Sequence, residues 1–213
     1  MWDFFLDRRE QIVYNTLQHG NLVLQAVLLA TLIAVVLAVV IIRVPQLAGL
    51  ANAISAIGLT IPSFALVGIL LPVLGFGAYT AFAAVCFYAV LPVLRNAVVG
   101  LQGVDETLLE SSRGMGMSEL TSLWRVRLPL AWPVILAGVR VSMQMSMGVA
   151  AIAALVQGPG LGTYIFTGLA QIGGANAVNY AVVGTVGVVV VALVADLLLQ
   201  LVGRLTISKG IRA

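Results

Sequence analysis

From Val44 to Leu94 the chain carries no Asp, Glu, Lys or Arg. That run is too long for one membrane span, which needs about 20 apolar residues, and long enough for two. The rest of the sequence fits the same reading. Of its 213 residues, 61% are hydrophobic and only 9% charged, against roughly 25% charged in soluble domains. The chain is therefore expected to be an integral, all-α polytopic membrane protein.

Spans follow from the apolar runs. Leu22–Ile42 is one, closed by Arg43 and Pro45. The charge-free run divides best at Gly75-Phe76-Gly77, giving Gln46–Leu74, kinked by Pro62 and Pro72, and Ala78–Leu94. Leu130–Val156, interrupted only by Arg140, and Ala177–Val202, interrupted only by Asp196, supply two more. Gly158-Pro159-Gly160-Leu161-Gly162 is a hard break, and Thr163–Ile172 is too short to span, so a short helix at the far membrane face is expected. This gives about five spans in a single transmembrane domain, 1–213, or six if Gln46–Leu74 breaks in two. With five, Arg43, Arg95, Arg113, Arg125, Arg127, Arg204, Lys209 and Arg212 share one side. The other side holds only Arg8 and Arg9, offset by Asp3, Asp7 and Glu10. The positive-inside rule then puts the N-terminus outside and the C-terminus in the cytoplasm.

Between the third and fourth spans lies a polar segment, 95–129. Eight of the chain's 11 basic and 8 acidic residues lie between Arg95 and Arg127. Two short helices are expected there. Asp105 and Glu106 suit the positive end of a helix dipole and Arg113 its negative end. Gly114 and Gly116 terminate that helix, and Ser118 caps a second one running toward Arg127. Leu108, Leu109, Met115 and Met117 are apolar side chains on a cytoplasmic loop, which calls for a partner surface.

Several chemistries are missing. The only lysine, Lys209, sits in Ser-Lys-Gly, not in the glycine-rich Gly-Lys-Ser/Thr turn of a phosphate-binding loop. One histidine, His19, and one cysteine, Cys86, do not make a metal site. His19 is expected to be a polar residue at the outer membrane interface, and Cys86 to be buried packing. The net charge of +3 is scattered around the spans and does not suggest nucleic acid. Uphill transport would therefore take its energy from another subunit or from an ion gradient.

The segment Glu110–Pro129, ESSRGMGMSELTSLWRVRLP, resembles the signature loop of ABC-transporter permeases: Glu-Ala-Ala, three residues, Gly, nine residues, Ile, one residue, Leu-Pro. Glu110, Ser111 and Ser112 fill the triplet, Gly116 the glycine, and Val126, Leu128 and Pro129 the end, without a gap. The resemblance narrows elsewhere. Thr60-Ile61-Pro62-Ser63-Phe64-Ala65-Leu66, Tyr88–Asn96, Gly138-Val139-Arg140, Gly158–Gly162 and Ala195–Leu199 are similar to segments of the osmoprotectant permeases, the glycine betaine/carnitine/choline group. That resemblance implies a type I ABC importer permease fold in a bacterial-type cytoplasmic membrane. It implies a non-catalytic subunit without a cofactor of its own, ATP and Mg being held by a cytoplasmic ABC ATPase dimer. It also implies an extracytoplasmic solute-binding protein and a second permease, either a copy of this chain or a paralogue. The ATPase-coupling element would be Val104, Asp105, Glu106, Leu108, Leu109, Glu110, Ser111, Ser112, Gly114, Met115, Gly116 and Met117.

A charge at mid-span costs roughly 2.5–3.5 kcal/mol and normally finds a partner. Arg140 and Asp196 lie at matching depths, about 15 and 12 Å from the cytoplasmic end, and are expected to pair directly or through water. Two roles fit them: an ion pair holding two helices, or a substrate contact. Thr60, Ser63 and Phe64 are candidate path residues, with Gly68 and Gly148 among the small residues that would line a path or allow close packing. Aromatic faces that could recognise a quaternary ammonium are few in the spans, so the selective cage is expected on the binding protein. Two other readings compete with an osmoprotectant importer. One is an importer for another small polar solute, such as methionine or sulfonates. The other is a stand-alone channel or secondary transporter, which the signature loop and the lack of an internal repeat argue against.

Overall fold

The computed structural model describes residues 1–44, 46–208 and 210. Pro45, Lys209 and Arg212, invoked above, lie outside the described residues. Among those described, every regular element is a helix.

The N-terminus forms a short helix, α1 (Trp2–Asp7), and then a long one, α2 (Arg9–Ile41). The helix thus starts well before the apolar run at Leu22, passing through the proline-free but polar segment Gln11–Asn21. On α2, Ala26, Ala30, Ala34 and Ala38 recur every fourth residue and are fully buried. Side chains this small let α2 approach α5 (Ala78–Gln102), whose Ala81, Ala84, Val85 and Ala89 are equally buried. In a bilayer, where lipid tails are as apolar as any side chain, such close approach is a main source of helix association.

The segment Gln46–Leu74 is not one kinked helix. It is two, α3 (Gln46–Thr60) and α4 (Ser63–Leu74), set at 94°. Pro62 is the cause: it disfavours helical backbone at Ile61 and has no N–H to continue the ladder. The Ile61 carbonyl left at the break accepts from the buried Tyr88 hydroxyl of α5. The pair still carries the chain across the bundle. α2 ends beside the polar loop, where Ile42 and Arg43 share a cavity with Leu109 and Arg113. α5 begins at the opposite end, where the Gly77 N–H donates to the Val156 carbonyl at 2.6 Å. With the bent pair taken as one traverse, the chain makes five: α2, α3–α4, α5, α8 (Leu128–Ile152) and α10 (Ala177–Thr206).

The polar segment is shorter than 95–129. α5 runs on to Gln102, and the helix capped by Ser118, α7 (Glu119–Ser122), continues without interruption into α8. Only 103–118 lies outside the long helices. The join, Leu123–Arg127, is a single wide π turn. Pro129 has no N–H for the Arg125 carbonyl and its ring crowds that carbonyl; a wider turn just before it accommodates both.

Close contact between α5 and α8 depends on glycine. A Cβ at Gly138 would lie 2.6 Å from Asn96 Cβ and 3.1 Å from the Pro92 carbonyl oxygen, whereas one at Gly148 on the same helix meets nothing within 4 Å. Gly138→Ala is expected to cost about 1–3 kcal/mol of overpacking, more than the ~1 kcal/mol of helix propensity regained. Gly148→Ala should be neutral or slightly stabilising. Thermal midpoints of the two purified variants check this; equal midpoints would contradict it.

At the end away from the loop, α9 (Gly162–Ala170) packs on α10, and Tyr164, Tyr180 and Phe4 gather there. The Arg8 guanidinium lies 4.4 Å from the Phe4 ring centre and donates to the Tyr180 hydroxyl at 3.2 Å. His19, expected at the outer membrane interface, is enclosed by protein. It is fully buried against Gly160, whose φ of +123° and lack of side chain permit the approach. Cys86 is half-buried rather than enclosed.

Candidate functional site

The polar loop is built around α6 (Glu106–Gly114). Asp105 caps it, accepting from the Thr107 N–H at 2.9 Å and from the Thr107 hydroxyl. These donors, the hydroxyl before the backbone, hold the Asp105 carboxyl below its usual range. Glu106 in the first turn pairs with Arg113 in the last at 3.2 Å. Both are well exposed, so the pair is worth at most about 1 kcal/mol. The helix ends in a Schellman motif: the Met117 N–H donates to Ser112 O at 3.1 Å and the Gly116 N–H to Arg113 O at 2.9 Å. Gly116 occupies the left-handed position, with φ +81°. No neighbour crowds it, so the requirement for glycine there is conformational, not steric.

The helix has two faces with different attachments. Leu109 is only 3% exposed. Ser112 is buried beside it, and its hydroxyl meets the Ser122 hydroxyl of α7 at 2.7 Å. This inward face, with the half-buried Val104, holds α6 to the bundle, and it explains why a small residue ends the triplet. The outward face carries Glu110, Ser111 and Gly114, with Leu108 47% and Met115 70% exposed. Ser111 closes on its own helix by donating to Thr107 O, and Glu110 has no partner among the described residues. Met117 is half-buried.

In the bundle, Arg140 and Asp196 are brought together. Arg140 Nε donates to Asp196 Oδ1 at 2.9 Å and its Nη2 to Oδ2 at 3.0 Å, a two-pronged pair. Two more side chains join that the sequence reading did not single out. Gln144 Nε2 lies 3.3 Å from Asp196 Oδ1, and Gln200 Nε2 lies 2.7 Å from Oδ2. The signal for both was present. Each stands four residues after one of the charges, on the same helix face. The Asp196 side chain is 16% exposed and that of Arg140 39%.

Thr60, Ser63 and Phe64 all flank the 94° break between α3 and α4. The Thr60 hydroxyl donates back to Ile57 O at 2.7 Å, Ser63 is half-buried, and Phe64 projects outward, 65% exposed. The aromatics of the region do not form an open cage: Phe64, Phe76 and Tyr79 point outward, while Phe87 and Tyr88 pack edge to face, 5.5 Å apart.

This architecture has known relatives. The family model described as "Binding-protein-dependent transport system inner membrane component" matches residues 26–208. The chain is 40% identical to the choline transport system permease protein OpuBB of Bacillus subtilis (strain 168), covering 95% of this chain and 91% of that one. It is 36% identical to the same organism's glycine betaine/carnitine/choline transport system permease protein OpuCB, over 100% and 96%. It is 35% identical to the osmoprotectant import permease protein OsmW of Salmonella typhimurium (strain LT2), over 98% of each. Among solved structures, a chain of the inward-facing MetNI methionine ABC transporter superposes with a TM-score of 0.74 at 21% identity, covering 95% of this chain and 96% of that one. The match shows the type I importer fold. The chain belongs to the family of binding-protein-dependent transport system inner membrane components.

Proposed function

We propose that the chain is the membrane permease of an ATP-driven importer for compatible solutes, with glycine betaine, choline and carnitine as its cargo class. The observation that carries this reading is similarity over essentially the whole chain, at 35–40% identity, to permeases named for those solutes. The loop end of the bundle, with Arg43, Arg95, Arg113, Arg125, Arg127 and Arg204, faces the cytoplasm by the positive-inside rule. There the outward face of α6 meets a cytoplasmic ATPase: Leu108 and Met115 are the apolar anchors, and Glu110 is a charge free to engage it. Gly116 fixes the angle at which α6 is presented. A solute-binding protein docks at the opposite end.

The path runs between two permease subunits, not through one. Thr60, Ser63 and Phe64 flank a helix break, a position where transporters tolerate irregular backbone next to a cavity. Because Phe64 projects outward from this chain, 65% exposed, a second subunit is needed to enclose it. Arg140 and Asp196 with their two glutamines act as a structural tie between α8 and α10.

Uptake tests the cargo. Cells lacking their own osmoprotectant importers and expressing this chain with its co-encoded subunits should accumulate labelled glycine betaine, choline or carnitine. Uptake of labelled methionine with none of these would overturn the assignment.

A further inference from the structure

At the loop end of the bundle is a cavity of about 340 Å³ between the end of α2, α6 and the α7–α8 join. Its lining combines two chemistries. Val39, Ile42, Leu109 and Leu123 supply the apolar part, and Arg43, Arg113 and Arg127 supply three basic residues. One carboxylate, Glu119, also lines it, so the lining keeps a net positive charge. The arginines are unequally committed. Arg127 donates its Nε to Leu101 O at 2.9 Å, Arg113 holds Glu106 by a single Nη1 contact, and Arg43 has no partner among the described residues. The volume lies within the range of small-molecule sites.

We propose that this cavity binds the phosphodiester headgroup of an acidic phospholipid from the cytoplasmic leaflet. The location rests on the cytoplasmic orientation given under the proposed function. Guanidinium groups suit phosphate oxygens, offering paired N–H donors that stay charged. Basic pockets between transmembrane helices on the cytoplasmic side are where anionic headgroups seat. The apolar part decides between lipid and free phosphate, because inorganic phosphate gains nothing from Ile42, Leu109 and Leu123, whereas a glycerol backbone and the first acyl methylenes do. A lipid seated there touches α2 and α6 together. It would link the inner leaflet's charge to the position of the coupling helix.

The test is native mass spectrometry of the assembled transporter in detergent, titrated with phosphatidylglycerol, phosphatidylcholine or inorganic phosphate. Phosphatidylglycerol should be retained in preference to both others. Each neutralised arginine should weaken it about fivefold, so Arg43→Gln with Arg113→Gln should lose roughly twenty-fivefold. Glu119→Gln, which makes the cavity more positive, should strengthen retention. Arg43→Lys with Arg113→Lys should keep the preference for phosphatidylglycerol over phosphatidylcholine, which controls for folding. Equal retention of the two lipids overturns the proposal. So does an equal loss from Arg95→Gln with Arg125→Gln, which lie outside the cavity. Phosphate binding as tight as lipid assigns a free-anion site instead. Loss of the ATPase from the double-glutamine variant with lipid retention unchanged assigns a protein contact. None of these readings depends on the cargo, so the lipid site can fail while solute uptake stands.

Discussion

Replacing Leu108 and Met115 with aspartate should stop solute uptake while leaving the bundle folded. Both side chains are exposed and neither belongs to the buried core, so the fold loses little. If they anchor an ATPase cleft, each is a central apolar contact of the kind that costs 2 kcal/mol or more when removed, about thirtyfold in affinity. The ATPase should no longer co-purify, and uptake should fall to background. The inward face gives the opposite pattern. Leu109→Asp puts a charge into the buried contact of α6 with α7 and the α7–α8 join, and should lower the thermal midpoint and the yield before any question of coupling arises. Gly116→Ala lies between these cases. It forces a left-handed residue to carry a Cβ, at about 1–2 kcal/mol, and should weaken coupling by mis-angling α6. Normal uptake by the Leu108→Asp, Met115→Asp variant would reject the coupling role of this face.

Asp196→Leu should be the most damaging single change within the membrane. It leaves the Arg140 guanidinium without its counter-charge. Breaking one side of a fully buried pair costs about 3–5 kcal/mol, and this partly exposed pair should approach the lower end, whereas replacing both partners with apolar residues of similar size is often neutral. The expected result is a sharp fall in thermal midpoint and membrane yield for Asp196→Leu. Arg140→Met with Asp196→Leu should recover most of it. Uptake by the recovered double variant then separates the two roles. Transport at the normal rate fits a tie between α8 and α10; loss of transport in a stable protein would point to a substrate contact. A single variant as stable as the parent would show that the pair carries no stability.

Much of the fold was legible because a bilayer permits little else. Backbone polar groups in hydrocarbon must be satisfied internally, so long charge-free runs become helices. Asp196 and Arg140 announced each other because a lone charge in a span is costly and the two lie at similar depths. Local chemistry was equally readable in the loop: Asp105, Ser118 and Gly116 occupy the cap and terminator positions that their side chains or backbone freedom favour. The less legible features depend on what a helix meets. Pro62 was read as a kink, but a 94° break needs a donor for the Ile61 carbonyl, and Tyr88 supplies it from another helix. His19 looked interfacial because its run begins with polar residues, yet the tight turn at Gly160 covers it.

By itself the sequence determined an all-helical membrane chain, the capped helix in the polar segment after α5, and the intramembrane charges that had to be satisfied. These follow from local rules: hydropathy, caps, backbone freedom and the cost of a lone charge in lipid. Only the tertiary structure decided which face of α6 is held and which is free, that Gln144 and Gln200 complete the Asp196 network, and that three arginines far apart in sequence converge on one cavity. Those outcomes depend on how helices rotate and approach one another. That is set by packing of small residues such as Gly138 and the alanines of α2, a sum of many weak contacts with no local signature.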